Sequence, residues 1–333
     1  MVMIGVIGYG YWGPNIVRNF QSLQHGSVKC ICDLNPKSLE RASKAHPGIS
    51  VTTDPNEVFS APDIDAIAVI TPVATHHPLA KRALEAGKHV FVEKPFTQSV
   101  SQAEELIDLA ERRGLKIMVD HTFLFTSAVR KIKELIDLDT LGDLYYYDST
   151  RVNLGLFQSD VNVLWDLAAH DISIMQHLLP RRAEAVVATG QRHVNGKEDV
   201  AFMTVYFPDN VIAHFNVNWL SPVKIRTTLI GGAKKMLVWN DLEADEKIKI
   251  YDKGVKKGNG QGLYDLLVSY RLGDIWAPRL DQVEALKVEA QYFVDCVDNG
   301  QSPFNDGVSG LQVVRVLEAA NKSLESKGGM VYL

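Results

Sequence analysis

The first part of the chain, up to about residue 120, alternates between short apolar runs and segments whose apolar positions recur at helical spacing. Apolar runs of this length predict buried strands, and the recurring positions predict amphipathic helices. Because the two kinds of segment alternate through short connections, we predict an α/β fold with a doubly wound parallel sheet. The predicted strands are residues 3–7, 28–33, 64–70, 89–92 and 117–119, and the predicted helices are residues 14–23, 38–45, 78–85 and 101–113.

The pattern changes from about residue 123. A helix, a strand and a second helix are followed by several strand-like runs that are separated by short polar or glycine turns. Consecutive strands joined by short turns predict an antiparallel sheet, and two further helical segments close the chain. We therefore predict two domains, residues 1–122 with the parallel sheet and residues 123–333 with an open antiparallel sheet flanked by helices. The predicted strands here are residues 144–152, 185–193, 200–207, 211–219, 224–230, 235–239 and 247–251, and the helices are 127–138, 164–179, 281–297 and 307–326.

The first predicted strand leads directly into Gly8-Tyr9-Gly10-Tyr11-Trp12-Gly13, and a predicted helix follows. In a strand-turn-helix context this spacing is typical of a Rossmann dinucleotide site, with the pyrophosphate at the helix N-terminus. Asp33 ends the second predicted strand, 20 residues after Gly13, where a carboxylate can hold the adenosine ribose. Because Asp33 would repel a 2′-phosphate and Leu34 is not basic, we predict NAD rather than NADP. The alternative is a glycine turn that binds no ligand.

Composition narrows the class of protein. The 333 residues are 46% hydrophobic and 23% charged with a net charge of −5, which is ordinary for a two-domain globular protein and does not favour nucleic acid or anionic membranes as partners. The early first strand leaves no room for a signal segment, and no apolar run is as long as a membrane span, so we expect a cytoplasmic protein. Cys30, Cys32 and Cys296 are predicted to be core residues rather than disulfide or metal partners.

Several polar residues follow the predicted parallel strands. They are Thr71-Pro72, Glu93-Lys94-Pro95 and Asp120-His121. Ligands bind beyond the carboxyl ends of such strands, so we expect these residues to share one edge with the glycine turn. Lys94 could donate to a substrate oxygen or move a proton. The alternative is a surface lysine that pairs with Glu93.

Asp166 and His170 are four residues apart in a predicted helix and would lie on one face. A carboxylate beside an imidazole raises its basicity, which suits a general base that takes a hydroxyl proton. A purely structural contact explains the same spacing. A metal site that combines these residues with His76 and His77 is disfavoured because the spacings match no metal motif, so we predict no bound metal.

Taken together, these motifs resemble the Gfo/Idh/MocA oxidoreductases. The resemblance covers nearly the whole chain and is strongest at residues 8–15, 71–76, 93–95 and 166–171. It implies that Lys94 contacts nicotinamide and substrate, that His170 transfers the proton and that Asp166 binds substrate hydroxyls. With the glycine motif it predicts a cofactor-binding set of Gly8, Gly10, Tyr11, Trp12, Gly13, Asp33, Thr71, Pro72, His76, Glu93 and Lys94. The predicted catalytic residues are Lys94, His170 and Asp166, and the predicted substrate-binding residues are Lys94, His121, Asn153, Asp166 and His170.

Residues 150–157 and 270–278 are similar to those of members that act on nucleotide sugars. We therefore expect an NAD-dependent dehydrogenase or ketoreductase that acts on a secondary alcohol or ketone of a nucleotide-linked sugar, with a free polyol dehydrogenase and a non-catalytic NAD-binding sensor or repressor as alternatives. A glycine pair expected before Asp166 is replaced by residues 162–165. The resemblance also implies a homodimer or homotetramer through the outer face of the open sheet, where Phe202, Phe215 and Trp219 are candidates.

Overall fold

The structure is a computed structural model that describes residues 1–179, 181–257 and 268–333. The chain forms two compact units. The first comprises Met1–Phe125 and Val283–Glu318, and the second comprises Thr126–Gln282 and Ala319–Leu333. The chain passes from the first unit to the second after Phe125, close to the predicted boundary at residue 122. Residues 283–318, which the prediction assigns to the second domain, belong to the first unit instead.

The first unit contains a six-stranded sheet in the order β3-β2-β1-β4-β5-β6, and every neighbouring pair is parallel. The strands are β1 Val2–Ile7, β2 Gly26–Cys32, β3 Ser50–Thr52, β4 Ala66–Val69, β5 His89–Glu93 and β6 Ile117–Asp120. Its helices are α1 Gly13–Gln21, α2 Pro36–Ala45, α3 Pro55–Ser60, α4 His76–Glu85 and α5 Val100–Arg113, with short 3₁₀ turns at Val73–Thr75 and Thr122–Phe125. The predicted doubly wound fold is confirmed. The strand order reverses between β1 and β4, which is where such folds bind their ligands.

Two late helices, α8 (Ala285–Asp298) and α9 (Gly307–Glu325), explain why residues 283–318 pack with the parallel sheet. Phe293 of α8 makes edge contacts with Phe20 and Phe91, with ring centroids 6.2 and 5.4 Å apart. Asn305 pairs with the β6 edge, where the Val119 N–H donates to its carbonyl at 2.9 Å and its Nδ2 donates to the Val119 carbonyl at 2.8 Å. The burial of these apolar rings favours packing of this late segment in the first unit, although its neighbours in the sequence belong to the second.

The second unit contains a nine-stranded sheet in the order β16-β13-β12-β11-β7-β10-β9-β8-β17. All of its neighbouring pairs are antiparallel except β7 and β10, which run parallel, so the predicted antiparallel sheet is a mixed one. Strands β14 and β15 form a separate pair. The strands are β7 Leu144–Leu154, β8 Ala185–Gln191, β9 Val200–Tyr206, β10 Ile212–Asn218, β11 Leu220–Gly232, β12 Met236–Asn240, β13 Ile248–Tyr251, β14 Gly254–Lys257, β15 Val268–Arg271, β16 Ile275–Trp276 and β17 Val331–Tyr332, and the helices are α6 Ser127–Asp137 and α7 Ala169–Leu178.

The two faces of this sheet differ in burial. On β9, Ala201, Met203 and Val205 are buried, whereas Phe202 between them is 44% exposed. Phe202 pairs with Asn216, and directly opposite residues share a face, so the neighbouring Phe215 points to the other, buried face. Trp219 is also buried. The expectation that Phe215 and Trp219 face outward is therefore wrong, because strand register assigns them to the inner side.

Other features bear on the class of site. The three cysteine thiols are buried and form no disulfide, and burial raises the pKa of Cys32 to about 12. Within the described ranges, no helix combines the length and apolar character that crossing a membrane requires. No cluster of three or more potential metal ligands occurs among those same residues.

Candidate functional site

The glycine turn after β1 has the geometry of a dinucleotide site. Gly8 has φ +106°, and a Cβ on it would overlap the Ile70 carbonyl, while a Cβ on Gly13 would lie 2.5 Å from the Gly8 oxygen. Both positions therefore require glycine for backbone packing. Around Gly10, no described residue other than its two neighbours in the chain has an atom within 4 Å of the corresponding Cβ position, which leaves room for a phosphate to approach the backbone.

Helix α1 begins directly after the glycine turn. Trp12 is its N-cap and makes no side-chain capping bond, and the first turn contains no acidic residue. Pro14 stands in the first turn, where its missing N–H costs nothing. A helix start of this kind attracts an anion, and the cofactor pyrophosphate suits it. Tyr11, which was predicted to contact the cofactor, is 89% exposed beside Trp12.

Asp33 lies against the glycine turn, as the spacing predicted. Its Oδ2 accepts the Tyr9 N–H at 2.6 Å, and its Oδ1 accepts the Asn35 N–H at 2.7 Å. These bonds hold the carboxylate where ribose hydroxyls can reach it. The structure adds a cation that the sequence pattern did not reveal, since the Arg41 guanidinium donates to the Tyr9 carbonyl at 3.3 Å. Arg41 is eight residues beyond Asp33, so its approach depends on how α2 packs.

The loop after β4 contains Thr71, Pro72 and His76. His76 is buried, with Nε2 2.7 Å from the Thr71 carbonyl and Nδ1 2.8 Å from the Pro95 carbonyl. Burial lowers the pKa of His76, partly offset by these carbonyls. The ring thus ties the loop after β4 to the loop after β5, and direct contact of His76 with a cofactor stays a prediction.

Lys94 and His121 follow β5 and β6 at the same edge, and the Lys94–Pro95 peptide bond is cis. His121 is fully buried, and neither ring nitrogen bonds to any residue that the structure describes. Burial lowers the pKa of His121 to about 4, and the charge of nearby Lys94 acts in the same direction, against Asp120. His121 is therefore neutral near pH 7 and can donate to or accept from a bound molecule. Ring nitrogens with hydrogen-bonding capacity to spare and the open space beside Gly10 are both compatible with a bound dinucleotide.

In the second unit, Asp166 and His170 lie at the start of α7. The predicted helix begins differently, because Leu164–Ala168 form a π turn before the α-helix. π turns are rare and occur often at functional sites. Asn162, from the segment that replaces the expected glycine pair, bonds to this turn, since its Oδ1 accepts the Trp165 N–H at 3.2 Å.

Trp219 is a functional candidate that the sequence pattern missed. Its Nε1 donates to Asp166 Oδ2 at 3.0 Å, and its ring packs edge-on against Phe157 at 5.5 Å. Gly155 allows close approach, because a Cβ there would lie 3.0 Å from the indole and 3.1 Å from the Asn153 side chain. The Trp219 indole bonds to Asp166 and lies close to Gly155, which in turn adjoins the Asn153 side chain, so Asn153 and Asp166 belong to one group. This arrangement depends on the register of β10 and on the turn after it, which the sequence pattern does not show.

A buried ion pair anchors α7 to β7. Arg151 donates to both oxygens of Asp171, from Nε and Nη2 at 2.8 Å each, and the two side chains are 5% and 2% exposed. Burial alone would lower the pKa of the Arg151 guanidinium, but the charge and hydrogen bonds of Asp171 outweigh burial, so this pKa is raised. Asp171 is the residue after His170, so this pair positions the catalytic candidate.

The structure therefore assembles two groups of predicted residues. The first unit collects its group along the carboxyl edge of the parallel sheet, comprising Gly8, Gly10, Trp12, Gly13, Asp33, Thr71, Pro72, His76, Glu93, Lys94 and His121. The second unit places Asn153, Asp166 and His170 around the end of β7 and the start of α7.

Comparison with curated proteins gives relatives of modest identity, some matched over nearly their whole length and others over less than two thirds of it. The UDP-N-acetylglucosamine 3-dehydrogenase of Acidithiobacillus ferrooxidans is 24% identical over 93% of this chain and 93% of its own length. The myo-inositol 2-dehydrogenase of Thermotoga maritima is 23% identical over 97% and 96%. The uncharacterized oxidoreductase YrbE of Bacillus subtilis is 26% identical, and the match spans 64% of this chain and 65% of that protein.

Solved structures and family models agree on the fold. The structure of UDP-N-acetylglucosamine 3-dehydrogenase from A. ferrooxidans superposes with a TM-score of 0.82 at 22% identity, covering 98% of each chain. A model described as an oxidoreductase family with an NAD-binding Rossmann fold matches residues 2–121, and a model of the GFO/IDH/MocA C-terminal domain matches residues 129–238. The chain therefore belongs to the Gfo/Idh/MocA family of oxidoreductases and binds NAD through its Rossmann domain.

Proposed function

We propose that this protein is an NAD-dependent dehydrogenase or ketoreductase that acts on a secondary alcohol or ketone of a nucleotide-linked sugar. The observation that carries the proposal is a set of polar side chains with capacity to bind a ligand. Lys94 and His121 lie at the edge of the parallel sheet, and the His121 ring nitrogens have no partner among the described residues. In the second unit, Trp219 orients Asp166. When bound, NAD would accept the hydride from the carbinol carbon in the oxidation, and NADH would donate it to the carbonyl carbon in the reduction.

Each side chain has a distinct role in this proposal. The Lys94 ammonium polarises the carbinol oxygen, and His170 exchanges the hydroxyl proton as a general base. Asp166 accepts a hydrogen bond from a neighbouring hydroxyl while Trp219 occupies its Oδ2. His121, neutral at pH 7, forms a hydrogen bond with the cofactor or the substrate. Asn153 contributes an amide at the end of β7.

The nucleotide-linked substrate is supported by the relative that acts on UDP-N-acetylglucosamine and matches over 93% of both chains. The inositol dehydrogenase relative, with similar coverage, favours a free polyol as the second candidate. A sensor that binds NAD without catalysis would have no need of both Lys94 and His170, and both are present.

A substrate panel separates these candidates. We expect the purified protein with NAD to produce NADH absorbance with one class of UDP- or dTDP-linked sugar and little with free sugars or polyols. The reverse assay, with NADH and the corresponding keto sugar, covers a ketoreductase. Turnover with free polyols alone would assign the second candidate, and silence in both directions while NADH binds would refute catalysis.

We also propose that copies of the chain associate through the outer face of the nine-stranded sheet, as a homodimer or homotetramer. Phe202 and Ile212 on the paired strands β9 and β10 are 44% and 39% exposed. Exposed apolar side chains grouped on one sheet face favour an interaction surface. The mass in solution should therefore be two or four times that of one chain.

Replacing Phe202 with aspartate should shift this assembly to monomers, because a charge would be buried at the contact. The matched control is Leu138→Asp, which alters a side chain that is 68% exposed at the end of α6 and lies outside strands β9 and β10. Light scattering of both variants is the measurement. A monomeric unmodified protein, or an assembly that is insensitive to Phe202→Asp, would contradict this proposal.

A further inference from the structure

Two carboxyl groups lie together behind the glycine turn of the first unit. Asp120 ends β6 and is 2% exposed, and Glu289 on α8 is fully buried. The Glu289 carboxyl interacts with both Asp120 and Thr122. Two adjacent carboxylates in such a site cannot both ionise without a large cost, so one of them holds a proton.

The hydrogen bonds show which group carries the charge. Asp120 accepts from Trp12 Nε1 at 3.2 Å and from the Thr122 hydroxyl at 2.5 Å. Glu289 Oε1 accepts a long bond from Asn305, 3.5 Å, and its Oε2 accepts none from the described residues. The Thr122 hydroxyl also lies near Glu289, but its single proton is donated to Asp120. A buried carboxylate with so few donors is unfavourable, so Glu289 is the protonated member and Asp120 the ionised one. Burial, and then Asp120, raise the pKa of Glu289 well above its ordinary value, in agreement with this assignment.

The charge on Asp120 acts on the glycine turn through Trp12. Trp12 is the N-cap of α1, and its carbonyl accepts the N–H groups of Asn15 and Ile16 at 2.9 and 3.3 Å. An indole held by Asp120 therefore fixes the backbone at the first turn of α1. The glycine turn that leads into α1 carries the N–H groups that would meet a pyrophosphate, and donors held in place before binding lose less entropy on binding.

We propose that Asp120 and Glu289 are a pair of positioning residues for the cofactor. Neutral Glu289 donates its proton to Asp120, ionised Asp120 accepts the Trp12 indole N–H, and the glycine turn is thereby preorganised for NAD. The pair acts on NAD binding itself, so it does not depend on which alcohol the enzyme oxidises.

The test is the Kd for NADH, measured by fluorescence titration. Glu289→Leu should raise the Kd about tenfold, the effect of one lost hydrogen bond to a charged group, and Trp12→Phe should do the same. The double variant should bind no more weakly than either single variant, because both changes break one chain of contacts. Glu289→Gln should keep the Kd of the unmodified protein, since its amide can also donate to Asp120.

A control separates positioning from general loss of stability. Val294→Ala alters a fully buried residue on the same helix that packs toward Gly26, so it should lower the Tm and leave the Kd unchanged. Should Glu289→Leu fail to fold, Asp120→Asn combined with Trp12→Phe tests the same chain of contacts. A normal Kd in folded Glu289→Leu, an equal rise in Val294→Ala, or additive losses in either double variant would overturn the proposal.

Discussion

Turnover of the preferred sugar is expected to fall about 10²- to 10⁴-fold when His170 is replaced with alanine, the range typical of a positioned acid or base. The variant loses the group that takes the hydroxyl proton. The Kd for NADH should stay unchanged, because the glycine turn and Asp33, which would hold the cofactor, are not altered. Steady-state kinetics at the NADH absorbance and a separate NADH titration measure the two quantities.

Lys94→Ala should lower turnover over a similar range, since the carbinol oxygen is no longer polarised.

His177→Ala provides the matched control for His170. It removes another imidazole from the same helix, at the end of α7 rather than at its start. Burial lowers the pKa of His177, which makes it a neutral packing residue near pH 7. The control should keep most of the turnover of the unmodified protein. Near-full turnover in both Lys94→Ala and His170→Ala would refute the proposed catalytic roles.

Replacing Arg151 with leucine is expected to lower the free energy of unfolding by about 3–5 kcal/mol, because Asp171 is then left buried and unpaired. The loss should exceed that of most single substitutions. Adding Asp171→Leu should recover part of it, since no isolated charge then remains in the core. Urea unfolding followed by circular dichroism measures these differences.

Arg181→Leu is the control for this ion pair. Arg181 contacts Asp209 at 3.3 Å, and the Asp209 side chain is 79% exposed, so water solvates the carboxylate when its partner is lost. The loss should cost about 1 kcal/mol or less. If Arg151→Leu were no more destabilising than Arg181→Leu, the anchoring of α7 by the buried pair would be disproved.

The cofactor half of this protein can be predicted from sequence because its information is local. The order of strand, glycine turn and helix lies within residues 2–21, and the steric need for Gly8 and Gly13 arises from backbone that is near in sequence or on the adjacent strand. Asp33 follows from the fixed length of one strand-helix-strand unit. Apolar runs on both faces of the strands likewise identify a parallel sheet with helices on each side.

The tertiary structure decided the features that depend on distant segments. The burial of Phe293 against Phe20 and Phe91 brings α8 back to the first unit and places Glu289 beside Asp120, 169 positions earlier in the sequence. No periodicity in the sequence encodes that return. Arg151 and Asp171 are likewise joined only by the packing of α7 on β7.

Strand register set the remaining details of the second unit. The alternation of apolar residues on β10 is visible in the sequence, but which alternate set faces inward depends on the pairing of Asn216 with Phe202. A shift of one residue would exchange the faces, so Trp219 reaches Asp166 only in the observed register. Local patterns thus determined the elements and the glycine site, whereas long-range packing and register determined which side chains support the catalytic candidates.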